Sequence, residues 1–392
     1  MKTDEEKVSD LDFLPEAMVE EMLRKQSEVI KNIDDRIRGL VKIKENIRRI
    51  LKDNNLIRSF ADELTSLSYP TAAGVDGTRS IIRQLSLDTA AIAAIAVEGL
   101  IPPKEQGFWE KPHFLLNIYL LKHSMHTDTF LRHLMFSYEL QLATKAPHKV
   151  VFLDGSFTSF LIGLGQGFEL KKDFFEKHKV KEAEKLAEEI QSRENETIRN
   201  FVTTLTSPRV DQFFVAIPKY TSRNEVGMKL KEYGLTTPLI DEIDDKGLLS
   251  FVLEPLEYIG PLPLTRPEDR WHFTGVSDKA EQEIVEAMNN LQVLYFRPSR
   301  MHPALRVEVS SSVANEKHRL RVLLEALLNQ TTVPGIMEPY PLYIADLFVK
   351  HVHGGLIELR EAAIGEMGKR KELDLSDFYL ALHDYRSERG YE

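Results

Sequence analysis

Two segments of the sequence carry an aspartate directly after an apolar run, followed by glycine and a small hydroxyl residue. They are AAGVDGT, which contains Asp76, and VVFLDGS, which contains Asp154. Taken alone, each Asp-Gly pair is typical of a turn that follows a strand, and this structural interpretation is the favoured one for either segment by itself. The functional alternative is that both aspartates are ligands of one metal site, which requires further carboxylates from elsewhere in the chain.

Two more carboxylates lie on or beside the apolar faces of predicted helices. Glu139 follows Met135 by four residues, and Asp346 follows Leu342 by four residues, so each shares a helix face with an apolar side chain. Carboxylates are seldom buried without a partner, and both positions are therefore candidates for a functional role. For Asp346, an ordinary ion pair with Lys350 at the next turn is the competing explanation.

The order of these four carboxylates resembles the order in which ribonuclease H-like folds supply a metal cluster. Two divalent ions about 3.5 to 4 Å apart need several carboxylates, and together they activate a water and stabilise the leaving oxygen of a phosphodiester. Carboxylates held close together repel one another, and a bound metal ion also explains how such a cluster is tolerated. We therefore predict a two-metal Mg²⁺ or Mn²⁺ site formed by Asp76, Glu139, Asp154 and Asp346.

The composition is that of a globular protein with an acidic balance. The 392 residues include 42% hydrophobic and 29% charged residues, a formal net charge of -10 and no cysteine. The lack of cysteine excludes disulfides and thiolate metal sites, and the negative charge argues against a protein that coats nucleic acid through bulk electrostatics. The apolar stretch TAAIAAIAV is far shorter than the roughly 20 residues that span a bilayer. The first residues lack the apolar core of a signal peptide, so we expect a cytoplasmic protein that does not enter a membrane.

Periodicity predicts an α/β protein with helices added around a mixed sheet. A long helix over residues 15–53 carries apolar residues, mostly isoleucines, spaced by threes and fours. We expect this stripe to pack on the body of the protein, and a helix of another chain is the less favoured partner. A meander of antiparallel strands is expected between residues 70 and 125. Two expectations concern the next part of the chain: a flexible turn at GLGQGF, residues 163–168, and an exposed helical insertion at about 169–204.

We divide the chain into an N-terminal helical segment, a nuclease domain and a C-terminal tail helix. The three parts cover residues 1–60, 61–365 and 366–392, and the tail helix is predicted near residues 376–385.

Six segments in fixed order resemble the NurA nucleases, which partner the hexameric HerA DNA translocase. They are GVDGT, LRHLMFSYELQLA, VVFLDGS, FFVAIPK, YFRPSRMHPALRVEV and EPYPLYIAD. No single segment is specific, but the ordered set covers most of the chain.

This resemblance implies a ribonuclease H-like core, a homodimer, and Mn²⁺- or Mg²⁺-dependent cleavage of DNA within single strands and from 5' ends, in DNA-end processing. It assigns metal ligation to Asp76, Glu139, Asp154 and Asp346. Lys219 in FFVAIPK is either a contact to the scissile phosphate or a salt-bridge partner. Many members carry Ala-His where this chain has Ala345-Asp346, and aspartate there is a competent ligand for a hard metal ion.

Two other classes of function remain as alternatives. An ATP-binding protein of the actin and sugar-kinase type shares the core and uses Asp-Gly-Thr beside phosphates, but it requires a second glycine-rich phosphate turn. A catalytically inactive interaction module is the other alternative, and the intact set of four acidic positions argues against it. Arg306 and Tyr340 are weaker candidates for substrate contacts, and a structural role is the favoured interpretation for both.

Overall fold

The computed structural model describes residues 14–61, 69–102, 106–177, 184–220, 224–265 and 271–367, together with positions 369, 376 and 380. The tail helix predicted near residues 376–385 falls almost wholly outside the described residues. The division of the chain at residues 60 and 365 stays a prediction.

Nine strands form one mixed sheet in this part of the chain. They are β1 (Ile57–Ser59), β2 (Ala72–Arg83), β3 (Asp88–Glu98), β4 (His113–Leu121), β5 (Val150–Asp154), β6 (Phe213–Ile217), β7 (Glu257–Pro263), β8 (Leu291–Phe296) and β9 (Leu305–Ser310).

The strand order across the sheet is β1-β7-β8-β9-β6-β5-β2-β3-β4. Strands β2, β3 and β4 form the expected antiparallel meander, and β5 and β6 continue from β2 as parallel neighbours. The five strands β4-β3-β2-β5-β6 constitute a ribonuclease H-like core, and β9, β8, β7 and β1 extend it as antiparallel strands. The predicted fold class is confirmed.

Twelve helices surround the sheet in the described residues. They are α1 (Glu16–Asp53), α2 (Thr127–Lys145), α3 (Phe157–Lys177), α4 (Glu184–Thr206), α5 (Glu225–Glu232), α6 (Pro238–Glu242), α7 (Asp245–Val252), α8 (Asp278–Asn289), α9 (Ser311–Ala314), α10 (Lys317–Gln330), α11 (Tyr340–Lys350) and α12 (Val352–Met367). None of these described helices combines the length and the apolar character needed to cross a membrane.

The central strands are apolar on both faces, because helices cover both sides of the sheet. Along β5, Val151 and Leu153 belong to the core on the side of α2, whereas Val150 and Phe152 belong to the core on the side of α10 and α11. Side chains of a strand point alternately to its two faces, so this period of two decides on which face each site residue lies.

The long helix α1 is present where the sequence predicts it, but only its second half packs on the body. Leu40, Ile47 and Leu51 are buried. Ile30, Ile33 and Ile37 continue the same stripe toward the N-terminus and are exposed. The expectation of packing along the whole helix is therefore wrong for its first half.

Two other local expectations are also wrong. The GLGQGF segment lies inside α3 and is not a flexible turn. Two of its glycines, Gly163 and Gly167, allow close packing of α3 on α2, and a Cβ added at Gly167 would lie 2.4 Å from the Cβ of His133. The charged segment 169–204 is not exposed throughout, because α4 buries Leu186, Ile190 and Phe201 in the core. The charged residues of α4 lie on one face of the helix, and its apolar residues form a stripe on the opposite, buried face.

Candidate metal centre

Asp76 and Asp154 lie side by side on neighbouring parallel strands. Val75 of β2 is in register with Leu153 of β5, so the two aspartates follow at the level where β5 ends. Asp154 ends its strand, as expected. Asp76 does not, because β2 continues to Arg83 and Asp76 is paired with Ile95 of β3. Its assignment to a turn at a strand end is therefore wrong.

The third aspartate reaches this place because α11 packs directly on β2. A Cβ added at Gly74 would lie 2.6 Å from the backbone nitrogen of Leu342, so only glycine permits this approach. Asp346 lies one turn further along α11. Carboxylate oxygens of Asp76, Asp154 and Asp346 all lie within 4.8 Å of one another.

Glu139 approaches from α2, on the other side of the sheet. Gly77 faces it, and a Cβ added there would lie 2.4 Å from Glu139 Oε1. The side chain of Glu139 is only 2% exposed. Among the described residues, none forms a hydrogen bond or ion pair with it. A buried carboxylate without a partner is costly, and this one lines the same depression as Asp76 and Asp154.

Lys219 is the principal cation of the site. It follows the end of β6, beside Asp154, and its Nζ lies 3.0 Å from Asp154 Oδ2 and 3.2 Å from Asp346 Oδ1. Glu338 Oε2 lies 3.5 Å from the same Nζ. Sequence reasoning missed Glu338, which precedes α11 in the EPYPLYIAD segment. It lies on irregular backbone before α11, so the periodicity of that helix does not indicate where its side chain points.

The electrostatics of the four predicted ligands differ with their surroundings. Burial, and next the charge of Asp154, raises the pKa of Asp76 to about 7. Burial, together with Asp76 and Asp154, holds the pKa of Glu139 well above its usual range. Burial also acts to raise the pKa of Asp346, but hydrogen bonds from Lys350 and Lys219 outweigh it and lower that pKa.

These residues fit a hard divalent cation. Carboxylate oxygens are the ligands that Mg²⁺ and Mn²⁺ prefer, and a cation at this site offsets the burial and the mutual repulsion that raise the pKa values of Asp76 and Glu139. The depression in which they lie has a volume of about 270 Å³ and is open to solvent. Ser156, Ser159 and Tyr220 complete its wall. Asp76, Glu139 and Asp154 can therefore hold a metal ion at the protein surface, where a polymeric substrate can reach it.

The two weaker candidates for substrate contacts lie elsewhere. Arg306 is completely buried, with its guanidinium 2.5 Å from Glu225 Oε2 and 3.1 Å from Glu308 Oε1. Glu308 also accepts a hydrogen bond of 2.9 Å from the Phe157 backbone N–H, at the start of α3. Arg306 thus has a structural role. Tyr340 is half-buried at the first turn of α11 and is absent from the wall of the depression.

No phosphate-binding loop supports the ATP-binding alternative in the described residues. The GLGQGF segment is helical. At two of its three glycines, Gly163 and Gly167, an added Cβ would clash with side chains of α2.

Comparison with solved structures identifies the fold. The crystal structure of the NurA nuclease from Sulfolobus solfataricus aligns with a TM-score of 0.57 and 14% identity, over 92% of this chain and 100% of that chain. A NurA structure with manganese aligns with a TM-score of 0.49 and 14% identity, over 90% and 100% of the two chains. Comparisons with family models and with curated protein sequences give no match. The chain therefore has the fold of NurA nuclease along most of its length.

Proposed function

We propose that this chain is a divalent-metal-dependent nuclease that hydrolyses phosphodiester bonds of DNA. The observation that carries the proposal is the close approach of Asp76, Asp154 and Asp346, whose oxygens lie within 4.8 Å of one another beside the unpartnered Glu139. Within this group Asp76 and Glu139 are buried without an ion-pair partner, which is unfavourable in itself, and metal binding accounts for their position beside Asp154.

In this reaction Asp76, Glu139 and Asp154 hold the metal ion, with Asp346 beside them. The ion, when bound, supplies Lewis-acid activation of the attacking water and of a phosphate oxygen. Lys219 presents its ammonium group next to Asp154, where it stabilises negative charge that accumulates on the phosphate in the transition state. Water attacks phosphorus, the bond from phosphorus to the leaving oxygen breaks, and that oxygen takes up a proton.

The resemblance in sequence supports a more detailed proposal. The ion is Mn²⁺ or Mg²⁺, the activities are endonuclease on single strands and exonuclease from 5' ends, and the working form is a homodimer. The partner is a HerA-type hexameric ATPase that feeds DNA to the site, in DNA-end processing or in defence against foreign DNA. An acidic nuclease benefits from such a partner, because the motor supplies both the grip on DNA and the movement along it.

Cleavage of end-labelled DNA tests the central proposal. Single- and double-stranded substrates are incubated with Mn²⁺, Mg²⁺ or EDTA, and a single-stranded RNA of the same sequence serves as the comparison substrate. We expect cleavage with either metal and none with EDTA. Cleavage in EDTA, or an Asp154→Asn variant as active as the native chain, contradicts the proposal.

The partner proposal has its own test. We expect the chain to co-elute with a HerA-type ATPase in size-exclusion chromatography and to stimulate its DNA-dependent ATP hydrolysis. Separate elution together with unchanged ATP hydrolysis contradicts this part and leaves the nuclease proposal standing.

A further inference from the structure

Lys219 lies among three carboxylates at one side of the proposed metal site. Its Nζ is 3.0 Å from Asp154 Oδ2, 3.2 Å from Asp346 Oδ1 and 3.5 Å from Glu338 Oε2. The side chain is one-third exposed, so the ammonium group also faces the depression. Ionic attraction and hydrogen bonds to these carboxylates together hold the Lys219 ammonium group in place.

Both carboxylate oxygens of Asp346 already contact an ammonium group in this arrangement. Lys219 contacts Oδ1, and Lys350 contacts Oδ2 at 2.5 Å. A Mg²⁺ ion stands about 2.0 to 2.1 Å from its ligand oxygens. An ion bridging Asp154 Oδ2 and Asp346 Oδ1 would therefore lie close to Lys219 Nζ, which contacts the same two oxygens, and would repel it.

Asp76 and Glu139 differ from Asp154 and Asp346, which both contact Lys219. Neither forms an ion pair with a lysine or arginine among the described residues, and Asp76 accepts one hydrogen bond, of 2.7 Å, from the Gly77 backbone N–H. Glu139 is nine-tenths or more buried and points into the depression without a partner. Asp76 and Glu139 are thus the carboxylates of the depression that lack an ion-pair partner, and Asp154 lies beside them in its wall.

We propose that the site takes one divalent ion, at Asp76, Glu139 and Asp154, and that the Lys219 ammonium group, held by Asp346 and Glu338, occupies the position of a second ion. This inference rests on the proposed nuclease function and replaces the two-metal arrangement expected from the sequence. Asp346 and Glu338 then hold the lysine instead of a metal. Aspartate at position 346 suits this role, because a carboxylate forms an ion pair with an ammonium group, whereas a neutral imidazole offers it only a single acceptor nitrogen.

The test is the number of Mn²⁺ ions bound per chain, measured by equilibrium dialysis with elemental analysis on the full-length protein. We expect one ion for the native chain and two for Lys219→Met, because the methionine leaves Asp154, Asp346 and Glu338 without their cation. Lys172→Met is the matched control, since Lys172 is an exposed residue of α3 that pairs with Glu176. It should bind one ion. Asp76→Asn should lose the ion at concentrations that saturate the native chain.

Electron paramagnetic resonance of the native, Mn²⁺-saturated protein provides a readout that does not depend on the folding of any variant. We expect the six-line signal of an isolated Mn²⁺ ion. A spin-coupled signal from two ions, or two ions per native chain in dialysis, overturns the inference. A folded Lys219→Met variant that still binds one ion also overturns it. Failure of the nuclease proposal has a different signature, which is neither Mn²⁺ binding nor cleavage by the native chain.

Discussion

Glu139 Oε1 and the α-carbon of Gly77 are so close that no side chain fits between them: a Cβ at position 77 would lie 2.4 Å from that oxygen. The contact joins α2 to β2 beside Asp76. It gives Gly77 a role that has nothing to do with a turn, because the residue lies within a regular stretch of paired strand. The strand has to lack a side chain here for the buried carboxylate to reach the site.

The variant Gly77→Ala should therefore weaken Mn²⁺ binding and lower the free energy of unfolding. The added methyl group displaces Glu139 and also meets Met135 Cγ at 2.9 Å, and overpacking of this kind costs about 1 to 3 kcal/mol. Urea unfolding and Mn²⁺ titration measure the two effects. Gly354→Ala is the control, because nothing lies within 4 Å of a Cβ on this α12 residue. Gly354→Ala should neither weaken Mn²⁺ binding nor lower the free energy of unfolding. If Gly77→Ala matched it in both quantities, the role of Gly77 would be refuted.

Removal of either paired aspartate should abolish metal-dependent cleavage while the fold persists. Changes to residues that only hydrogen-bond a metal ligand already cost about 10- to 100-fold, so we expect at least about a 100-fold loss for Asp76→Asn and for Asp154→Asn. Metal-free Asp76→Asn should be as stable as the metal-free native chain or more stable, because Asp76 forms no ion pair and its buried charge is repelled by Asp154. Asp211→Asn, which changes an exposed aspartate paired with Arg209, should keep full activity. Equal activity of Asp154→Asn and Asp211→Asn would show that the aspartates are not ligands.

Much of the framework could be predicted because it is encoded locally. The apolar spacing in α2 and α11 indicates which faces are inward, and it selects Glu139 and Asp346 before any tertiary information is available. The run that ends at Asp154 is a buried strand in the structure as well. The ordered set of strands and helices then indicates the ribonuclease H-like sheet. The roles of these carboxylates as metal ligands stay predictions.

The parts that could not be predicted depend on contacts between distant segments. Asp-Gly at residue 76 has the composition of a turn, but pairing with β3 along eleven residue pairs keeps β2 extended. The three glycines of α3 have low helix propensity, and the close packing of Gly163 and Gly167 on α2 overrides it. Glu338 has no periodicity to reveal it, because it precedes α11 on irregular backbone and meets Lys219 only in the folded chain.

The stability of the metal-free protein should fall as the pH rises through about 7. The pKa of Asp76 is raised from an ordinary 3.8 to about 7, first by burial and then by Asp154. The folded state therefore holds this proton at pH values where the unfolded chain has lost it. The resulting stabilisation is complete below about pH 4 and disappears above pH 7. At about 1.4 kcal/mol per pKa unit, its upper limit is roughly 4 kcal/mol.

Urea unfolding in EDTA between pH 4 and 8 measures this dependence, and Asp76→Asn is the comparison because its amide does not titrate. We expect a smaller decline for the variant. Saturating Mn²⁺ should reverse the trend of the native chain, because metal binding requires the ionised carboxylate and strengthens as the pH rises. Identical slopes for the native chain and the variant in EDTA would exclude Asp76 as the source.

The variant Arg306→Met should be strongly destabilised, although Arg306 lies outside the metal site. Its guanidinium is completely buried against Glu225 and Glu308, and removal of one partner from a buried ion pair costs about 3 to 5 kcal/mol. Mn²⁺ affinity should fall too, because Glu308 anchors the Phe157 backbone N–H three residues after Asp154. Arg209→Met is the matched control, since its ion pair is exposed and worth at most about 1 kcal/mol. Urea unfolding distinguishes the two variants, and equal midpoints would show that the buried network contributes nothing to stability.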